Sequence, residues 1–100
     1  MRERLFGEAE QSLARARALS PRDVDPIAQL AHLARVRAQH ASDGGERAAR
    51  LDAAGALFRE ATAASPSNAV LWREWGVTEQ AAGRRESTRE KLERARALDP

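Results

Sequence analysis

The sequence predicts an all-α protein in which five helices form a stack of antiparallel hairpins. Three observations predict this fold. Alanine supplies 22 of the 100 residues while aromatic residues make up only 4%, a composition that favours closely packed helices over a β-sandwich. One spacing of small and large apolar residues, closed by proline, occurs three times. The breaks between the helical segments are short, which places consecutive helices side by side in opposite directions.

The repeated frame consists of a small residue, a large apolar residue, a second small residue and a proline. It occurs as Ala9, Leu13, Ala16 and Pro21, as Ala54, Phe58, Ala61 and Pro66, and, with Thr88 in the first place, as Thr88, Leu92, Ala95 and Pro100. Steps of four and three residues place the first three side chains on one face of a helix. The proline then ends that helix, because it has no backbone N–H and restricts the residue before it.

A second shared frame follows each internal proline. Ile27, Leu30 and Ala31 have the same spacing as Trp72, Trp75 and Gly76. Apolar or small residues at i, i+3 and i+4 predict an amphipathic helix. Together the two frames predict helices over residues 2–19, 25–40, 46–64, 68–82 and 85–98.

Length, cysteine content and charge exclude several classes of protein. One hundred residues form about one core, so we expect a single domain over residues 1–100. Absence of cysteine excludes a disulfide scaffold and a Cys-ligated zinc site. No apolar run approaches 18 residues, so we expect no membrane contact by this segment. The net charge is only +2 and acidic and basic residues are interleaved, so nucleic acid is not an expected partner.

No arrangement of residues predicts catalysis. His32 and His40 are the two histidines, and a separation of eight residues places them about 80° apart around a helix. Metal ligands on one helix are usually three or four residues apart. Gly44 and Gly45 are not followed by the Lys-Ser/Thr pair of a phosphate-binding loop. We therefore expect no enzyme activity, no metal and no cofactor.

The last third of the chain resembles the tetratricopeptide repeat family. That family's 34-residue signature is Trp, two spacers, Leu-Gly, two spacers and Tyr, followed on a second helix by Ala, three spacers and Phe, with a closing Pro. Residues 69–100 match it with Trp72, Trp75 in place of Leu, Gly76, Gly83 at the turn, Thr88 in place of Ala, Leu92 in place of Phe, Ala95 and Pro100. The sequence departs from the signature at Glu79, where tyrosine is common. We expect Trp72 to be the main packing anchor of this repeat.

Residues 24–68 resemble a longer repeat, with Ile27, Leu30, Phe58 and Pro66 at the signature positions. Pro21 and Pro66 are 45 residues apart, against 34 for Pro66 and Pro100, so 11 residues are extra. Because small and apolar residues continue the stripes of both arms, we expect both helices to be extended, with the turn at residues 42–45. An unstructured insert is the alternative. Residues 1–21 resemble only the second helix of a preceding repeat, which suggests a piece of a larger bacterial protein.

The resemblance implies a non-catalytic protein-protein interaction module. In this family the first helices of successive repeats line a concave groove that binds a peptide or a partner helix. Carried over to this chain, the groove holds Ala28, His32 and Arg35 from one repeat and Arg73, Val77 and Gln80 from the next. Since a guanidinium group binds a carboxylate through two hydrogen bonds, the two arginines favour an acidic partner.

The sequence also supports a structural interpretation. Residues 57–76 are similar to repeat tails of O-antigen ligase or polymerase-like glycan enzymes, which implies an oligomerising tail on a bacterial membrane protein as the alternative function. Such a tail would lie on the extracytoplasmic face of the membrane, whereas a complete chain would be cytoplasmic. Apolar residues on the first and last helices, among them Leu5, Phe6, Leu92 and Leu98, predict self-association.

Overall fold

The computed structural model of the chain describes residues 2–100, so Met1 of the predicted segment 1–21 lies outside the described residues. The described residues form five α-helices and no β-strand. The helices are α1 (Arg2–Leu19), α2 (Val24–Gln39), α3 (Gly44–Ala64), α4 (Ala69–Ala81) and α5 (Arg85–Leu98). The predicted all-α hairpin stack is confirmed. Within residues 2–100, every helix is too short or too polar to span a lipid bilayer.

The extra residues of the first complete hairpin lie in its helices, as predicted. α2 and α3 contain 16 and 21 residues, against 13 and 14 in α4 and α5. The turn is shorter than predicted, because α3 begins at Gly44 and not at Glu46. The Asp43 side chain caps this helix by accepting a hydrogen bond of 2.7 Å from the backbone N–H of Glu46. An unstructured insert is thereby excluded.

The core lies where α3 packs between α2 and α4. One buried cluster contains Ala31, Ala54, Phe58 and Trp75, and an adjoining cluster contains Ile27, Ala61 and Leu71. The alanines at the predicted small positions let the three helices approach closely, while Phe58 fills the space between them. The outer helices α1 and α5 pack mainly on α2 and α4, respectively. Ion pairs of Arg17 with Glu60 and of Glu3 with Arg50 also connect α1 to α3.

The prediction that Trp72 is the main packing anchor is wrong, because Trp75 is the buried tryptophan. Trp75 is 6% exposed and belongs to the core cluster, whereas Trp72 is half-buried. Trp75 faces α3 at Gly55, where a β-carbon, if present, would lie 3.8 Å from the indole Nε1. Trp72 lies one turn earlier, beside the α3–α4 loop, and its Nε1 donates a hydrogen bond of 2.8 Å to the Pro66 carbonyl. The two rings stack with centroids 5.5 Å apart.

The remaining signature residues differ in how deeply they are buried. Ile27, Phe58, Gly76 and Ala95 are buried, Leu30 and Leu92 are half-buried, and Pro66 and Pro100 are exposed. The exposed prolines act on the backbone at helix ends and need no packing partner. Leu92 is only half-buried because one side of α5 is open.

Candidate functional site

An open groove runs between α4 and α5. Two hollows of about 600 and 320 Å³ lie along it and share Leu92 and Arg96 in their walls. We call this surface the α4–α5 groove; it is lined by Val70, Arg73 and Gln80 from α4 and by Arg89, Leu92 and Arg96 from α5. Its dimensions suit a segment of polypeptide lying lengthwise.

The apolar floor of the groove depends on a glycine in α4. A β-carbon added at Gly76 would lie 2.7 Å from Leu92 Cδ2 and 2.9 Å from Leu92 Cγ. The absence of a side chain at this position therefore lets α5 approach α4 closely, with Leu92 lying over the glycine. Val70 is 51% and Val77 40% exposed on the neighbouring face of α4. Val70 and Leu92 line the groove together and form an apolar strip that is open to solvent.

The rim of the groove is positively charged. Arg73, Arg85, Arg89 and Arg96 line it, and none of them forms an ion pair with another described residue. The acidic residues in its walls are Glu93 and Asp99. The four arginines therefore present hydrogen-bond donors that the described part of the chain leaves available for a carboxylate.

A buried carboxylate fixes the turn that joins the two walls. Glu79 is buried; its Oε2 accepts a hydrogen bond of 2.7 Å from Arg84 Nη1, and its Oε1 accepts one of 3.0 Å from the Ser87 hydroxyl. Arg84 Nη2 also donates to the Asp52 carboxylate of α3. The hydrogen bonds to Asp52 and then to Glu79 raise the pKa of Arg84 above its usual range. This network ties α3, α4 and α5 together at one end.

Sequence reasoning missed this network. In the repeat signature Glu79 occupies a position where tyrosine is usual. From the sequence alone, this difference predicts only that one packing contact of the repeat is weaker. The turn itself contains Gly83, whose φ of 78° is in the left-handed region that glycine adopts without strain. One pattern in the sequence could have predicted the ion pair. A carboxylate stands at a position that is normally buried, and two arginines follow directly after the glycine of the turn.

The predicted groove residues divide into two groups in the structure. Arg73 and Gln80 line the α4–α5 groove, and Val77 is exposed on the same helix. Ala28 is half-buried and His32 is exposed on α2. Arg35, which was predicted to bind a partner's carboxylate, is already bound to a carboxylate within the chain, and its role toward a partner stays a prediction.

Arg35 links α2 to α4. Its Nη1 lies 2.6 Å from Glu74 Oε2 and donates to the Glu74 carbonyl at 3.3 Å, and its side chain is only 12% exposed. Its Nη2 lies 3.1 Å from His32 Nδ1. An acidic partner would have to displace Glu74 to reach it. The arginines of the α4–α5 groove have no such competing carboxylate in the described chain.

Cations cover the stacked tryptophans. Lys91 Nζ lies 4.4 Å from the centroid of the Trp75 ring, and Arg94 lies 5.3 Å from that of Trp72. Lys91 also donates to Glu90 at 2.7 Å, and this contact lowers the pKa of Glu90. Both rings are thus engaged in packing and cation–π contacts instead of forming an open stacking platform.

The described residues offer no assembled metal site, since no group of three or more His, Asp or Glu side chains in residues 2–100 is placed to hold an ion.

Comparison of the chain with protein-family models gives no match, and comparisons with curated proteins and with solved structures give none. The tetratricopeptide resemblance therefore stays a prediction from the sequence. The site has to be interpreted from its own geometry.

Proposed function

We propose that the chain is a non-catalytic protein-interaction module of the tetratricopeptide type, which binds a peptide or a partner helix in the α4–α5 groove. The observation that carries this proposal is the apolar strip of Val70 and Leu92 beside arginines that have no partner in the described chain. Apolar side chains in a groove supply binding free energy by burial, and the charged rim adds specificity.

The groove is supported by a rigid frame. The absence of a side chain at Gly76 lets α4 and α5 approach closely, and the Glu79–Arg84 ion pair fixes the turn between these two helices. A preformed groove loses little conformational entropy when a ligand binds. The proposal keeps the predicted α4 residues Arg73 and Gln80 as contacts, adds Val70, and replaces the α2 residues by those of α5.

Substitution of Val70, which lines the groove beside Leu92, by aspartate tests the groove. Peptides selected from a displayed random library against the unmodified protein are expected to bind the Val70→Asp variant about tenfold more weakly, since a charge enters the apolar strip. The measurement is a titration of the isotope-labelled protein followed by NMR. The amide signals of α4 and α5 should shift most in the unmodified protein.

An exposed alanine on α3 provides the matched control. Ala53→Asp adds the same charge to another helix, and the selected peptides should bind this variant with unchanged affinity. Selected peptides that shift only α1 and α2, or that bind all three proteins equally, would show that the α4–α5 groove is not the binding site.

Exposed leucines on α1 favour a second candidate function, self-association in a structural or oligomerising tail. Leu5 is 63% and Leu19 84% exposed, and 14 residues place them on roughly the same side of the helix. The unmodified protein is expected to form dimers at high concentration in sedimentation equilibrium, and Leu5→Glu/Leu19→Glu to be monomeric. Gln11→Glu/Ser12→Glu, which adds equal charge to α1, should still dimerise. A monomer mass for the unmodified protein at every concentration would rule this candidate out.

A further inference from the structure

The α4–α5 groove has a filled counterpart within the same chain. The repeat frames align Ile27 with Trp72, and Pro66 with Pro100. In this alignment Arg35 of α2 corresponds to Gln80, and Gly55 of α3 corresponds to Arg89. In the structure the α2–α3 hairpin contacts α4 through both residues. Arg35 pairs with Glu74, and Gly55 faces Trp75. The surface that forms the groove is thus the equivalent of one that already receives a helix.

This correspondence indicates the shape of the occupant. On the α2–α3 hairpin the equivalent surface is covered by a 13-residue α-helix, α4. Both surfaces are formed by two antiparallel helices whose ridges accept a third helix. An amphipathic helix with its apolar face toward Leu92, the counterpart of the buried Phe58, therefore fits the α4–α5 groove better than an extended strand.

The two surfaces differ in charge. Leu51, Gly55 and Thr62 of α3 are buried, and all three lie on the hairpin that carries α4. The corresponding residues of α5 are Arg85, Arg89 and Arg96. Where Trp75 of α4 meets Gly55, a helix in the α4–α5 groove meets the guanidinium group of Arg89. Arg85 and Arg96 likewise occupy positions at which α3 has buried, uncharged side chains. Burial of these charges without a partner would be unfavourable, so the incoming helix has to supply carboxylates.

We propose that the occupant is an acidic amphipathic helix of a partner protein, apolar toward Leu92 and with carboxylates opposite Arg89 and Arg96; this inference rests on the proposed function of the groove. A second copy of the chain is less complementary. The glutamates of its α1, Glu3, Glu8 and Glu10, are each paired with an arginine of the same chain. Its α2 contains a single acidic residue, Asp25, and the acidic residues of its α4, Glu74 and Glu79, are paired internally.

Three designed peptides test the charge of the partner. They share one length and one apolar helical face, and differ only in carrying glutamate, glutamine or lysine on the flanks, residues of similar helix propensity. In NMR titrations the glutamate peptide is expected to shift the amides of α4 and α5 and to bind about tenfold more tightly than the glutamine peptide. Added salt should weaken its binding, and the lysine peptide should not bind.

Charge reversal on the protein provides the complementary measurement. Arg89→Glu/Arg96→Glu is expected to bind the lysine peptide in preference to the glutamate peptide. The matched control is Arg15→Glu/Arg22→Glu, which changes the net charge equally at exposed positions in α1 and the following loop. This control should keep the preference for the glutamate peptide, and circular dichroism should show that both variants are folded.

Each result has a distinct meaning. Equal binding of the three peptides in the groove would overturn the acidic partner and leave the proposed function standing. Failure of every designed or selected peptide to shift groove residues would overturn both. Amide shifts in the groove that grow with protein concentration when no peptide is present would overturn the partner helix, because they would show that a second copy of the chain occupies the groove.

Discussion

Trp75→Ala is expected to lower the free energy of unfolding by about 3 to 5 kcal/mol, the range for truncation of a fully buried large aromatic side chain. Trp75 packs in the core cluster with Ala31, Ala54 and Phe58 and supports Lys91 over its ring. Since a domain of this size is stable by only about 5 to 15 kcal/mol, the variant should unfold at a clearly lower urea concentration than the unmodified protein. Urea titration followed by far-UV circular dichroism measures the change.

Trp72→Ala is the matched comparison, because it removes the same side chain one turn away. Its ring is half-buried and its hydrogen bond to the Pro66 carbonyl lies at the surface, so we expect a loss of about 1 to 2 kcal/mol. A larger loss for Trp72→Ala than for Trp75→Ala would contradict the assignment of Trp75 as the anchor. It would favour the packing role expected from the tetratricopeptide signature.

Arg84→Met is expected to lower the free energy of unfolding by about 2 kcal/mol. The substitution leaves the buried Glu79 carboxylate without its cation, and breaking a buried ion pair typically costs about 3 to 5 kcal/mol. The lower figure reflects solvent screening, since the Arg84 side chain is 45% exposed. Urea titration gives the value, and hydrogen exchange should show faster opening of the α4–α5 turn.

The neighbouring arginine supplies the control for this prediction. Arg85→Met removes an exposed arginine without an ion-pair partner in the described chain, and its stability should change by less than about 0.5 kcal/mol. Addition of Glu79→Gln to Arg84→Met should restore part of the loss, because the unpaired buried charge is then removed. Equal stabilities of Arg84→Met and Arg85→Met would show that the Glu79–Arg84 pair does not support the groove.

The helices could be predicted because their patterns are local. The bounds of α1 and α5 agree with the prediction, and proline and small-residue spacings placed the other helices to within about two residues. The predicted start of α3 is two residues late because Gly44 and Gly45 are typical turn residues. The Asp43 cap allows these glycines to form the first helical turn, although glycine is a poor helix former.

The candidate site was predicted less completely than the helices. Of the α4 residues predicted from the repeat register, Arg73 and Gln80 line the groove. The internal ion pair of Arg35 could not be predicted, because the register gives the side of a helix on which a residue lies, but not whether a neighbouring helix carries a carboxylate within its reach. The Glu74 partner and the Glu79–Arg84 network both depend on contacts between helices.

Periodicity and helix-stop residues were sufficient to establish that the chain consists of helical hairpins, because the spacing of apolar side chains and the stereochemistry of proline act within one or two turns. Which tryptophan is buried, which arginines are neutralised and which groove stays open were decided by how the helices pack. Burial and ion pairing depend on distances between residues far apart in the chain, and those distances exist only once α2, α3, α4 and α5 are assembled.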